Sequence, residues 1–139
     1  MCEVHELTAG GSLDIGPLQV ETRLLPHWLP NAGIRLAADG RVLAYTGDAG
    51  PSHDVASLAR GADLLLAEAS YVDQVPEDSR RYLSSARQQG KQAAEAAARY
   101  LVLTHLMPGT DPAAARAAAR RGYDGEVSVA TVGLLLDIS

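Results

Sequence analysis

Val42-Leu43-Ala44-Tyr45-Thr46-Gly47-Asp48 and Tyr100-Leu101-Val102-Leu103-Thr104-His105-Leu106 decide how this chain is read. Each opens on a short apolar run of the kind a buried strand makes and closes on polar residues at a chain reversal. In an α/β sheet the carboxyl ends of strands are where ligand sites form, because the reversals there expose side chains and backbone groups. The first run brings a carboxylate to such an end and the second an imidazole, both donor types of a metal site. No H-x-H or H-x-x-x-H cluster accompanies them. A metal site built on Asp48 and His105 is therefore only half supplied by this sequence.

Upstream of the first run the chain reads as β. Val4, Leu7, Leu13 and Ile15 punctuate a polar segment around Gly10-Gly11, a hairpin signal, and Gly16-Pro17 breaks the chain. From Leu18 to Leu25 the residues alternate, with Leu18, Val20, Thr22 and Leu24 on one side and Gln19, Glu21 and Arg23 on the other. Residues 26–31 form a loop. Residues 34–38 and 41–46 flank Asp39-Gly40, the strongest two-residue hairpin signal. Downstream the pattern changes to alternating helix and strand. Ser52 caps a short helix over 53–60. Residues 63–67 form a buried strand, and 71–81 are irregular. Ser84 or Ser85 opens an Ala-rich helix to Arg99 that is interrupted once at Gly90. Residues 100–106 form a second buried strand. Asp111-Pro112 opens a helix over 113–121 that Gly122 ends. Residues 126–138 form a last strand or hairpin, split near Gly133. Residues 1–139 thus read as one domain, β-rich in front and α/β behind, with no repeat or linker.

Composition narrows the function. With 139 residues, 47% of them hydrophobic, the chain can bury a core. That core must be built of Ala, Leu and Val, since there is no Phe and one Trp. The net charge of −5 is interspersed, so bulk charge does not draw nucleic acid. The single cysteine, Cys2, leaves no internal disulfide and fits a reducing, cytoplasmic setting. No apolar stretch is long enough to span a membrane.

Taken in order, the motifs resemble the C-terminal half of a metallo-β-lactamase-fold hydrolase, in the branch of ribonuclease Z and related phosphodiesterases. His27-Trp28-Leu29-Pro30-Asn31-Ala32-Gly33-Ile34-Arg35 is similar to the family's H-x-x-P-x-x-G-x-R stretch. Leu43 to Asp48 resembles the strand that carries the metal-bridging aspartate. Ala62 to Tyr71 resembles the segment read as L-L-x-H-E-A-x-F, and Leu83 to Ala98 the helix after it. Leu101 to His105 resembles the strand that supplies the last metal histidine. Two departures stand out. The family's N-terminal half, with its H-x-H-x-D-H cluster, has no counterpart here. The family's H-E-A reads Ala67-Glu68-Ala69, and Tyr82 stands where a proton-transferring histidine often opens the next helix.

The resemblance implies half of an αββα sandwich, a mixed sheet with helices on one face. In the complete family two zinc-type ions lower the pKa of a bridging water and stabilise the displaced oxygen of a phosphoester, thioester, lactone or amide. Asp48 and His105 would be this chain's metal ligands, with Glu68, Tyr82 and His27 as catalytic candidates. Each residue also has a plainer reading. Asp48 beside glycines is ordinary turn chemistry, and a lone His105 on an apolar strand can be a core residue. Glu68 is a buried carboxylate that needs a partner. His27 can face solvent, Tyr82 can be structural, and His53 reads as a helix-start residue. The sheet face that the missing half would cover predicts an apolar surface, met by that half or by self-association. The chain alone is expected to be inactive. A second expectation is a non-catalytic dimerising interaction domain derived from the same fold. A third is a doubly wound nucleotide-binding domain, which lacks G-x-G-x-x-G.

Overall fold

The computed structural model describes residues 4–138. The strands lie side by side in the order of the chain. Strand β1 (Ser12–Ile15) pairs with β2 (Leu18–Leu25), β2 with β3 (Asn31–Ala38), and β3 with β4 (Arg41–Tyr45), all antiparallel. Two tight turns make this possible. Gly16-Pro17 is the β1–β2 turn rather than a break, and Asp39-Gly40 joins β3 to β4 with both residues in the left-handed region, at φ 51° and 73°. That is the twist a two-residue hairpin needs.

From β4 onward the sheet is parallel. Strands β5 (Leu64–Glu68), β6 (Tyr100–Thr104) and β7 (Glu126–Val129) follow in turn. Their crossovers carry α1 (His53–Leu58), α2 (Ala86–Ala96) and α3 (Pro112–Arg120). The starts are encoded locally. The Ser52 side chain accepts from the Val55 N–H, Ser85 and Gln88 form a capping box, and Asp111 accepts from the Ala113 N–H ahead of Pro112. Helix α2 ends on Ala97 in the left-handed region, short of Arg99.

All three helices cover one face of the sheet: α1 packs on β2 and β3, α2 on β5 and β6, α3 on β7, and the helices touch one another. Ala44, Leu65, Ala67, Leu101, Leu103 and Val127 point into this layer and meet Ala56, Ala93, Ala96, Ala115 and Ala118. Small side chains let the helices approach closely. At Gly90 a Cβ would collide with the Ala119 carbonyl of α3. That contact explains the glycine within an otherwise Ala-rich helix. The opposite face carries no helix. By the pleat and register, Val20, Thr22, Ile34, Leu36, Leu43, Tyr45, Leu66 and Val102 share it. Val20 and Val102 are buried there, whereas Ile34, Leu36, Leu43, Tyr45 and Leu66 are only partly covered.

Two expectations are corrected at the ends. Around Gly10-Gly11 a turn forms, with the Gly11 N–H donating to the Thr8 carbonyl at 2.8 Å, but residues 4–8 are not a strand. Residues 126–138 hold only β7. The Ala130 N–H still donates to the Leu103 carbonyl at 2.8 Å, and the chain then leaves the ladder and turns at Thr131-Val132-Gly133-Leu134, where Gly133 has φ 81°. Cys2 lies outside the described residues.

Candidate functional site

The loops after β4, β5 and β6 meet at the carboxyl edge of the parallel strands, and four side chains converge there. Asp48 Oδ2 stands 3.7 Å from His105 Nε2, with both side chains close to half exposed. Each is presented by a constrained backbone. Gly47 has φ 59°, and a Cβ on it would collide with the Asn31 amide, whose Nδ2 donates to the Thr46 carbonyl at 3.0 Å. Thr46 is fully buried, and its hydroxyl donates to the Gly47 carbonyl at 2.7 Å and accepts from the Glu68 N–H at 3.1 Å. His105 itself sits at φ 58°. A non-glycine residue in that region is uncommon and stores strain that its surroundings must balance.

Glu68 ties the surrounding loops together. It is fully buried. Its Oε1 accepts from the Ser70 N–H at 2.9 Å and its Oε2 from the Ser84 N–H at 2.8 Å. One carboxylate thus ties the loop after β5 to the start of α2. The Ser84 hydroxyl extends the tie by donating to the Ala49 carbonyl at 2.8 Å, beside Asp48. Burial pushes the Glu68 carboxyl above its ordinary value, against the pull of the hydrogen bonds from Ser70 and Ser84 and of the nearby His105.

Ser70 links this carboxylate to the imidazole. Its N–H bonds Glu68 Oε1, and its hydroxyl lies 3.1 Å from His105 Nδ1. Metal binding through Nε2 requires the tautomer in which Nδ1–H donates to Ser70 Oγ. The lone pair then lies on Nε2, facing Asp48 Oδ2. Two acceptors facing each other across 3.7 Å suit a cation between or beside them. Imidazole and carboxylate together fit a zinc-type ion, but as two donors of a set that needs more. Among the described residues no group of three His, Cys, Asp or Glu is placed to hold a metal ion.

The other candidates lie apart from this pair. His27 is partly buried on the β2–β3 loop, and its Nδ1 donates to the Tyr82 carbonyl at 3.0 Å, which leaves its lone pair on Nε2. The Tyr82 ring packs against Trp28. These residues border the site because the Gly50 N–H donates to the Pro26 carbonyl at 2.9 Å. Gly50 is itself so close to Arg81 that a Cβ would strike the Arg81 carbonyl. His53 is exposed and faces Glu95 at 3.3 Å, a surface pair at the start of α1. Sequence reasoning missed Asn31, Thr46, Ser70 and Ser84. Ser70 follows a buried carboxylate by two positions and was open to notice. The others act through contacts that only the fold creates.

The profile of the beta-lactamase superfamily domain matches residues 1–106, and the chain belongs to this superfamily. Its fold is that of the metallo-β-lactamase proteins, on the ribonuclease Z-like side. An uncharacterised protein of Mycobacterium leprae is 33% identical over 137 residues, covering 98% of this chain and 48% of the relative. The ribonuclease Z of Haloferax volcanii is 35% identical over 102 residues, covering 71% of this chain and 32% of that enzyme. Among solved structures, the metallo-β-lactamase fold protein YhfI of Bacillus subtilis superposes with a TM-score of 0.85 at 26% identity, covering 92% of this chain and 53% of that one. The chain spans about half the length of the relatives it matches. Among the described residues no helix is long and apolar enough to cross a membrane.

Proposed function

We propose that this chain forms one side of a metal-dependent hydrolytic centre that acts on a phosphoester, thioester, lactone or amide bond. The observation that carries the reading is the approach of Asp48 Oδ2 to His105 Nε2, 3.7 Å apart at the carboxyl edge of a metallo-β-lactamase-type sheet. Zinc-type ions bound there, two in the complete family, would lower the pKa of their water and stabilise the negative charge that develops on the substrate. His105 would bind through Nε2, with Ser70 holding the ring at Nδ1. Asp48 would bind through a carboxylate that can reach either way. Glu68 holds the loops rather than touching substrate. His27 and Tyr82 border the site on loops joined to the one that carries Asp48 and would be reached by a substrate that extends past the metal.

The remaining donors come from a segment that covers the helix-free face, either the family's other half or a second copy of this chain. Alone, the chain is inactive. The single cysteine supports a cytoplasmic setting. A non-catalytic interaction domain is the alternative, favoured by the partly covered apolar face of β3 and β4.

Calorimetric titration with zinc tests the metal role. Two donors give weak binding to the isolated chain, and either Asp48→Ala or His105→Ala removes it. Tight, stoichiometric zinc binding by a monomer, unchanged in both variants, would refute the assignment.

A further inference from the structure

Trp28 is the chain's one tryptophan, and it stands 54% exposed on the loop between β2 and β3. Single exposed apolar side chains are ordinary, but this one is built into a stack. Its ring centroid lies 4.9 Å from that of Tyr82 with the planes tilted by 32°, and the His27 ring meets it edge-on at 5.1 Å. The stack is fastened from beneath. His27 Nδ1 donates to the Tyr82 carbonyl, and the Pro26 carbonyl accepts from Gly50. The loops that carry these rings are thus bolted to the loop that carries Asp48, and two residues past Tyr82 the Ser84 N–H bonds Glu68. The Tyr82 phenol makes no hydrogen bond among the described residues, so the fold uses its ring rather than its hydroxyl. A groove beside Trp28 is lined by Leu24, Pro26, His27 and Leu29, and Leu29 is 72% exposed.

We propose that Trp28 and Tyr82 form a recognition platform for a planar aromatic group of the substrate, on loops bonded to the one that carries Asp48. The proposal rests on the hydrolase reading and adds a substrate preference to it. Tyr82 and His27 pack on the indole and still leave over half of Trp28 exposed, so a flat ring that stacks there loses water, while an alkyl group of similar charge gains little. Among the bonds of the hydrolase reading, an aryl phosphoester joins such a ring directly to the scissile group.

Because Trp28 is the chain's one tryptophan, its emission reports this platform directly. The metal-free chain is titrated with phenyl phosphate and, separately, with methyl phosphate. Phenyl phosphate changes Trp28 emission saturably and methyl phosphate does not. Tyr82→Phe keeps the ring and the affinity, whereas Tyr82→Leu weakens binding by about fivefold or more. No saturable response to phenyl phosphate, an equal response to methyl phosphate, or full affinity in a folded Tyr82→Leu would overturn the proposal. If Tyr82→Leu does not fold, the comparison of the two esters on the wild type decides. No metal enters this measurement, so its outcome is independent of the zinc titration.

Discussion

Replacing Glu68 by alanine tests the reading of that residue as the pin of the site. The side chain is fully buried and accepts from two backbone donors, Ser70 at 2.9 Å and Ser84 at 2.8 Å. Truncation strands both N–H groups in the interior at about 1–3 kcal/mol each, together about 2–6 kcal/mol. Removing a desolvated carboxyl returns part of that, and the net loss is about 3 kcal/mol. For a chain of this length the melting temperature falls by about 10 °C. Calorimetry or thermal circular dichroism reads it, and a Glu68→Ala variant within about 0.5 kcal/mol of wild type would refute the argument. Glu68→Gln adds a pH test. The folded carboxyl titrates above its ordinary 4.5, so the fold binds this proton more tightly than the unfolded chain does. Its contribution is complete below about 4.5 and is lost as pH rises through the folded value. Gln cannot titrate, so the margin of wild type over Glu68→Gln narrows from pH 4.5 towards neutrality.

Asp63 titrates in the opposite sense. The Val42 N–H, with Arg99 and Arg41, holds its carboxyl below the ordinary 3.8. Asp63→Asn therefore costs about 1 kcal/mol at neutral pH, and urea melts should show that deficit vanish as pH falls below 3.8 through the folded value. Gln89 is fully buried, and neither polar atom of its amide has a partner among the described residues. Gln89→Met should raise stability by about 1 kcal/mol in denaturant titration. A loss of more than that would mean the amide is satisfied. Covering the helix-free face contributes about 2.5 kcal/mol per 100 Å² of apolar area, so sedimentation at micromolar concentration should find dimers or larger species, and a clean monomer that binds no apolar dye would contradict it.

The strands and helices were legible because their signals are local. Asp39-Gly40 fixes one hairpin, Ser52, Ser85 and Asp111 open the helices, and alternation from Leu18 to Leu25 matches the two faces of β2. The meeting of Asp48, Glu68 and His105 was legible too, since strands that end in one direction share an edge. What stayed hidden depends on contacts distant in sequence. Ser84 reaches Ala49 across 35 positions. Nothing near Tyr82 in the sequence announces that Trp28 lies against it. The end was misread because Leu134, Leu135 and Leu136 carry a strand-like pattern without a neighbouring strand to pair with.

The chain-order arrangement of the sheet has a kinetic consequence. No strand has to be threaded between two already paired, so each can add to a finished edge as it leaves the ribosome. The first additions close loops of only a few residues. Later ones must wait for crossovers, the longest being residues 69–99 between β5 and β6. Loop closure grows costlier with length, so the hairpins assemble early and β6 docks late. His105 follows β6 directly, whereas Asp48 follows β4. The carboxylate is therefore set in place well before the imidazole, and the pair exists only once nearly the whole sheet has formed.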